Sequence, residues 1–178
     1  MPTLETSRLT LHSFTEQDLD VLATLAADCN FMRFSLGAFT REETAAFLNK
    51  VMARDREGLP SQFAVIFREN ERLIGYCGFF AQTVDGIEEL EIGYRIDPEF
   101  WNRGLATEAA RAVRNYAFSE LRLPRVLSLI HPDNAASRRV TEKSGMTMEK
   151  QTVFRGFPTQ VFSVHQQTEP QPPAGGGE

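Results

Sequence analysis

The segment Ile96-Asp97-Pro98-Glu99-Phe100-Trp101-Asn102-Arg103-Gly104-Leu105-Ala106-Thr107-Glu108 holds residue types suited to gripping an anion. A strand ends, a short loop turns, and a helix begins on small residues. Such a junction presents unpaired backbone N–H groups at the positive end of a helix dipole, where a phosphate or pyrophosphate is stabilised. Gly104 permits close approach of the backbone, and Ala106 keeps the next turn clear. The segment is neither a P-loop, since it lacks Gly-Lys-Ser/Thr, nor a Gly-x-Gly-x-x-Gly dinucleotide turn. Taken alone it also fits a plain loop and helix start. Just upstream, strand alternation puts Glu89, Glu91 and Gly93 on one face and Leu90, Ile92 and Tyr94 on the other. The two carboxylates are either proton acceptors in a site or groups facing water on a sheet surface. His131 ends an apolar strand, where satisfaction by local hydrogen bonds is the simpler reading than acid–base work.

These residues need elements to hold them, and the hydrophobic pattern supplies a series. Arg8 to Phe14 alternates as a strand. Thr15 with Asp18, and Thr40 with Glu43, read as capping signatures ahead of two helices. Between them Asn30 to Gly37 is apolar without either period; of Phe31, Met32 and Phe34, at least two are expected in the core. Strands follow at Gln62–Arg68, Arg72–Ala81 and Glu89–Ile96, the last after a polar turn containing Asp85-Gly86. A helix is predicted from Leu105 to Leu121, with Leu105, Ala109, Ala112, Val113, Tyr116 and Ala117 on one face. Val126–Ile130 reads as a strand buried on both sides, and Ala135–Ser144 as a helix closed by Gly145. Two last strands, Thr147–Phe154 and Gln160–Val164, surround Arg155-Gly156-Phe157-Pro158. The order βααβββαβαββ describes an α/β chain of the mixed α+β kind: one mixed sheet with helices on its faces, not a βαβ repeat.

In sequence order, Glu91-Ile92-Gly93-Tyr94-Arg95-Ile96, Trp101 to Ala109, His131 to Val140 and Glu142-Lys143-Ser144-Gly145-Met146 closely resemble the GNAT superfamily of N-acetyltransferases. With Ser7-Arg8-Leu9-Thr10-Leu11, Phe14 and Asp18, the chain is similar more narrowly to the RimJ/RimL-like branch, the ribosomal-protein N-terminal acetyltransferases. The resemblance spans about residues 5 to 165. It implies the GNAT fold, with a central, mostly antiparallel mixed sheet of about seven strands and helices on both faces. It also implies acetyl-CoA as acyl donor and a primary amine, on a protein N-terminus or a small molecule, as acceptor. The backbone amides of Arg103, Gly104, Leu105, Ala106 and Thr107 would then grip the CoA pyrophosphate. The strand carrying Tyr94 and Ile96 would offer backbone groups to the pantetheine arm, and Asn134 and Ser137 would lie near the thiol. The first position of the pyrophosphate motif is Trp101, where the family has Arg or Gln. A Tyr acid common in many family members is replaced by Thr141, which leaves protonation of the thiolate open.

Acetyl transfer needs an uncharged amine, so a base must take its proton, and Glu91 is the first candidate, with Glu89 or a water relay as alternatives. Ser137 is a candidate donor to the departing thiolate or an ordinary early-helix residue. No covalent nucleophile is required if the amine attacks directly in a ternary complex. Two other readings are a GNAT-fold acyl-CoA sensor without turnover and a protein-interaction domain without cofactor.

Composition bounds the rest. The 178 residues suit one domain, residues 1–165, followed by QQTEPQPPAGGGE at 166–178, whose lack of large apolar residues predicts a flexible tail. A net charge of −5 leaves no basic footprint for nucleic acid. No apolar run reaches the ~20 residues needed to span a bilayer, and Met1 to Glu5 has no signal-peptide character, so the cytoplasm is expected. Cys29 and Cys77 form no CxxC or Cys/His cluster, so neither a disulfide framework nor a metal site is expected. A homodimer through sheet edges or terminal strands fits a domain of this kind.

Overall fold

The computed structural model describes residues 1–35 and 37–166. Among these, eight strands form one sheet: β1 (Leu4–Glu5), β2 (Leu9–Ser13), β3 (Gln62–Phe67), β4 (Arg72–Val84), β5 (Ile87–Ile96), β6 (Arg125–Ile130), β7 (Thr147–Phe154) and β8 (Phe157–His165). Four α-helices accompany them: α1 (Leu19–Ala26), α2 (Arg41–Arg56), α3 (Leu105–Ser119) and α4 (Ala135–Lys143). The strand order is β1-β2-β3-β4-β5-β6-β8-β7. Neighbouring strands run antiparallel except β5 and β6, which are parallel. The mixed, mostly antiparallel sheet is thus as expected, and the strand beyond the expected seven is the two-residue β1.

The central strands are buried on both sides, as β3 illustrates. Phe63, Val65 and Phe67 join one core with Leu9, Leu11, Ile92 and the inner face of α3. The intervening Ala64 packs on the opposite face with Leu22 and Leu25 of α1, Leu48 and Val51 of α2, and Tyr76. Two-sided burial is why Gln62 to Phe67 shows no polar alternation. The buried face of α3 is Leu105, Ala109, Ala110, Val113, Tyr116 and Ala117, so Ala110 takes the place expected for Ala112.

Both predicted capping boxes form. Thr40 and Glu43 exchange bonds at the start of α2, with the Glu43 N–H donating to Thr40 Oγ1 over 3.2 Å. Thr15 and Asp18 do the same, but around the short 3-10 turn Glu16–Asp18 that precedes α1. Several strand ends differ from expectation. The Asp85-Gly86 turn is only two residues long, so β4 and β5 extend to Val84 and back to Ile87. Arg155-Gly156 is likewise a two-residue turn, and Phe157 and Pro158 belong to β8. Gln166 remains attached, its N–H donating to the Pro124 carbonyl at 2.9 Å. The rest of the expected tail, residues 167–178, lies outside the described residues. Among the described residues no helix is long and apolar enough to cross a membrane.

Candidate functional site

The parallel junction of β5 and β6 is where the sheet opens. The two strands meet in register at Glu91 and Leu127, and Ser128 Oγ donates to the Ile92 carbonyl at 2.8 Å. Beyond that point Gly93–Ile96 and Leu129–His131 line a cleft of about 530 Å³ and do not pair with each other. The backbone edge of β5 that faces away from β4 is therefore available over these residues. Its Ile96 carbonyl is the exception, since the Trp101 indole N–H donates to it at 2.6 Å.

The loop after β5 is braced by charges. Asp97 accepts the Glu99 N–H at 3.0 Å, and the Arg72 guanidinium pairs with both Asp97 and Glu99 at 2.7 Å. Phe100 is buried beneath. Gly104 is the N-cap of α3 at φ +77°, and no side chain caps the helix there. The first-turn amides of α3 thus have no side-chain acceptor, and a helix start of this kind suits an anion. The sequence places Arg103 in this turn, but its side chain lies over the Phe67 and Phe100 rings, 4.8 and 5.2 Å from their centroids. Arg103 does not line the cleft, whereas Gly104, Leu105, Ala106 and Thr107 do.

Behind the turn, Glu108 ties α3 to the N-terminal segment. It accepts from Thr6 Oγ1 at 2.6 Å, the Arg8 N–H at 2.9 Å and Arg8 Nε at 2.7 Å, while Arg8 also donates to the Arg103 carbonyl at 2.9 Å. Burial works against the charged form of Glu108, but the bonds from Thr6, Arg8 and Ser7 outweigh it and hold the carboxyl below its ordinary range. A depressed folded-state value stabilises the fold above the unfolded carboxyl pKa and is lost as pH falls through the folded one. Glu108→Gln is therefore expected to flatten the acid limb of thermal stability. Loosening the turn should also raise KM for the acyl donor that the resemblance implies about tenfold, the equivalent of one lost charged hydrogen bond. An unchanged KM together with an unchanged acid limb would contradict this bracing role.

Glu91 is the carboxylate that reaches the cleft. Burial raises its pKa above the usual carboxylate range. That rise is opposed by a hydrogen bond from Gln82 Nε2 at 2.7 Å, by the Leu129 backbone and by the charges of Arg155 and Arg95. Glu89 shares the parity of Glu91 but is drawn away, pairing with Arg125 at 3.1 Å, which also holds Glu149. Glu89 does not line the cleft. Ile92, on the opposite face, is core.

Across the cleft, Asn134 Oδ1 accepts the Ser137 N–H at 3.1 Å and caps α4. The Asn-x-x-Ser pattern thus has a helix-starting role, while both residues also line the cleft. Tyr94 sends its phenol across the gap to donate to the Ser137 carbonyl at 3.0 Å. Burial pushes this phenol up to about 12, against the pull of Thr141 and Ser137. The hydroxyl therefore stays protonated and ties β5 to α4. Thr141, at the position of the absent family Tyr, is buried. His131 Nδ1 receives the Asp133 N–H at 3.2 Å, the local satisfaction expected for it. At the other mouth, Arg95 Nη1 donates to the carbonyls of Phe31 and Arg33 at 3.0 Å. Phe31 and Met32 are core, whereas Phe34 is exposed and lies on His131 with ring centroids 5.5 Å apart.

Glu91, Tyr94, Ile96, Gly104, Leu105, Ala106, Thr107, Asn134 and Ser137 thus meet in one cleft. Sequence reasoning passed over Asn102, Arg95 and Gln82. The signal for Gln82 was the two-residue Asp85-Gly86 turn, which sets Gln82 opposite Glu89 and so diagonal to Glu91. Among the described residues no group of three or more His, Cys, Asp or Glu is arranged to hold a metal ion.

A sheet parted beside an uncapped helix N-terminus, with a long cleft running on to α4, fits the phosphates and extended arm of coenzyme A. Such an arrangement is that of an acyl-CoA-dependent acyltransferase. Residues 8–147 match the Acetyltransferase (GNAT) domain, and the chain belongs to that family. It is 35% identical over 147 residues to the uncharacterized N-acetyltransferase YnaD of Bacillus subtilis, covering 82% of this chain and 83% of YnaD. A GNAT-family acetyltransferase structure from Bacillus anthracis is 28% identical, with a TM-score of 0.78 over 92% of this chain and 98% of that one. The ribosomal L7/L12 alpha-N-protein acetyltransferase RimL, solved with coenzyme A, shares the fold at a TM-score of 0.77 and 17% identity, over 93% and 98% of the two chains. The protein is an acetyl-CoA-dependent acyltransferase.

Proposed function

We propose that the protein acetylates a primary amine by direct attack on acetyl-CoA in a ternary complex, with Glu91 as the base. The observation that carries this reading is that Glu91 and the start of α3 at Gly104 to Thr107 line the same cleft. Both substrates can then lie along one path, and the reacting atoms meet beside the parted strands. The amides of Gly104 to Thr107 hold the pyrophosphate. The free edge of β5 aligns the pantetheine arm and offers N–H groups to the developing oxyanion. Glu91 takes the proton that the ammonium must lose before the nitrogen can attack. As the C–N bond forms and the C–S bond breaks, Ser137 donates a hydrogen bond to the leaving thiolate. A thiol pKa near ~8.5 lets the thiolate depart without a full proton donor, so Tyr94 serves as a strut.

The acceptor is a primary amine of a protein N-terminus or a small molecule. The Ser7-Arg8-Leu9-Thr10-Leu11 motif and the fold shared with RimL support a place in the RimJ/RimL-like branch and hence an N-terminal acceptor. The test mixes purified protein, acetyl-CoA and a panel of amines and N-terminal peptides, following thiol release and acceptor mass together. Acceptor-dependent release of CoA with a singly acetylated product, and intersecting double-reciprocal plots, are expected. Parallel plots would overturn direct attack. Tight acetyl-CoA binding without turnover on any amine would identify a sensor.

A further inference from the structure

The proton acceptor of the cleft is wired to a distant surface turn. Gln82 Nε2 donates to Glu91 Oε2 at 2.7 Å, and Gln82 Oε1 accepts from Arg155 Nη2 at 3.0 Å. Arg155 fixes which end of the amide points where: its guanidinium can only donate, so it takes the oxygen and leaves the NH₂ to face Glu91. Neither Gln82 nor Arg155 lines the cleft, so neither is placed to touch a substrate there. Arg155 is held in reach by a separate latch between the two hairpins. Asp85, in the β4–β5 turn, accepts from Thr152 Oγ1 at 2.7 Å and pairs with Lys150 at 2.8 Å, both on β7. The turn carrying Arg155 is thereby anchored beside β4.

We propose that Gln82 and Arg155 are positioning residues that orient the Glu91 carboxylate and set the pH at which the enzyme becomes active. This inference rests on the reading of Glu91 as the base. The other charged and titratable groups around Glu91 come from every neighbouring element. Arg95 lies four residues further along β5, opposite Tyr76 on β4. Tyr94 stands on the strand's other parity, Glu89 is occupied by Arg125, and Arg33, His131 and, from α4, Arg139 and Lys143 line the same cleft. Of these, Gln82 donates directly to the carboxylate, and Arg155 is the cation bonded to Gln82. A positive charge and an N–H donor both favour the ionised carboxylate, against the burial that disfavours it.

The experiment records pH profiles of kcat/KM for wild type, Arg155→Asn, Arg155→Lys, Gln82→Leu and the double variant, with Glu91→Gln alongside. Asn suits the turn because Arg155 has φ +51° and Asn tolerates that region. Arg155→Asn and Gln82→Leu are expected to move the acid limb to higher pH. On the acid side activity falls about tenfold, and it recovers as pH is raised. Arg155→Lys keeps the charge and restores the wild-type limb. Adding Arg155→Asn to Gln82→Leu shifts the limb less than it does alone, because the bond it breaks is already gone. Thermal unfolding of each variant separates these effects from loss of fold. If Glu91→Gln is inactive while the limb stays fixed in both Arg155→Asn and Gln82→Leu, the wiring is wrong and the base assignment stands. If Glu91→Gln keeps full activity, the base assignment itself fails.

Discussion

Glu91→Gln is expected to lower kcat for amine acetylation by about 10²- to 10⁴-fold while leaving acetyl-CoA affinity within about twofold, the range set by loss of a general base. The substitution keeps shape and keeps an oxygen that can accept from Gln82 Nε2, so that bond survives. What it removes is a group able to hold a proton. The folded-state pKa of Glu91 is raised by burial, so ionising this carboxyl opposes folding as pH rises through that value. Gln carries no such cost, and the variant should therefore unfold at the same temperature as wild type or slightly higher near neutral pH. Activity lost while stability is kept would separate a chemical role from a structural one. For wild type, the raised pKa places the acid limb of kcat/KM above the ordinary carboxylate range. A variant retaining more than about a third of wild-type kcat across the pH range would refute Glu91 as the base.

The second large effect is on folding, at Gly75. This residue pairs with Ile96 across β4 and β5, one position after a register shift opposite Val65 and Ile66. Its φ is +145°, a region that side chains with a Cβ avoid. A Cβ there would overlap the Arg95 carbonyl oxygen and lie 2.9 Å from the Arg95 carbonyl carbon and 3.1 Å from Ile96 Cα. All three are backbone atoms, which cannot rotate away as a side-chain tip would. Overpacking costs about 1–3 kcal/mol and the strained backbone about 1–3 more, against a typical total stability of about 5–15. Gly75→Ala should thus lower the melting temperature by about 5 to 20 °C, or prevent folding altogether. Arg95 and Ile96 border the cleft, so surviving protein should also bind acetyl-CoA more weakly. A melting temperature within about 2 °C of wild type would show that β5 can move aside.

The course of the elements was readable from residue types because it depends on local patterns. Thr40 with Glu43 made a helix start wherever the chain went, and Gly104 before small residues made an uncapped one. The core was legible to the same depth: the prediction that two of Phe31, Met32 and Phe34 are interior holds, and Phe34 is the one left outside. Strand ends were less clear, since a Gly-containing polar turn does not state its own length until the two strands pair. That length decides register, and register decides that Gln82 meets Glu91.

By itself the sequence determined that a helix beginning without a side-chain cap follows a strand bearing two glutamates of one parity, and that a capped helix follows the next strand. Alternation cannot say which glutamate reaches the cleft, because Glu89 and Glu91 are equivalent by parity. Only the tertiary structure decided it: Arg125, 36 residues beyond Glu89 in the chain, neutralises one, while the divergence of β5 from β6 exposes the other. The same holds for Tyr94, whose phenol reaches the Ser137 carbonyl, and for Arg155, which a latch at Asp85 brings to Gln82. Patterns of period 2 or 3.6 record the face a residue presents. The partner it finds across the sheet is set by chain segments far away in sequence, and that information appears only when they pack.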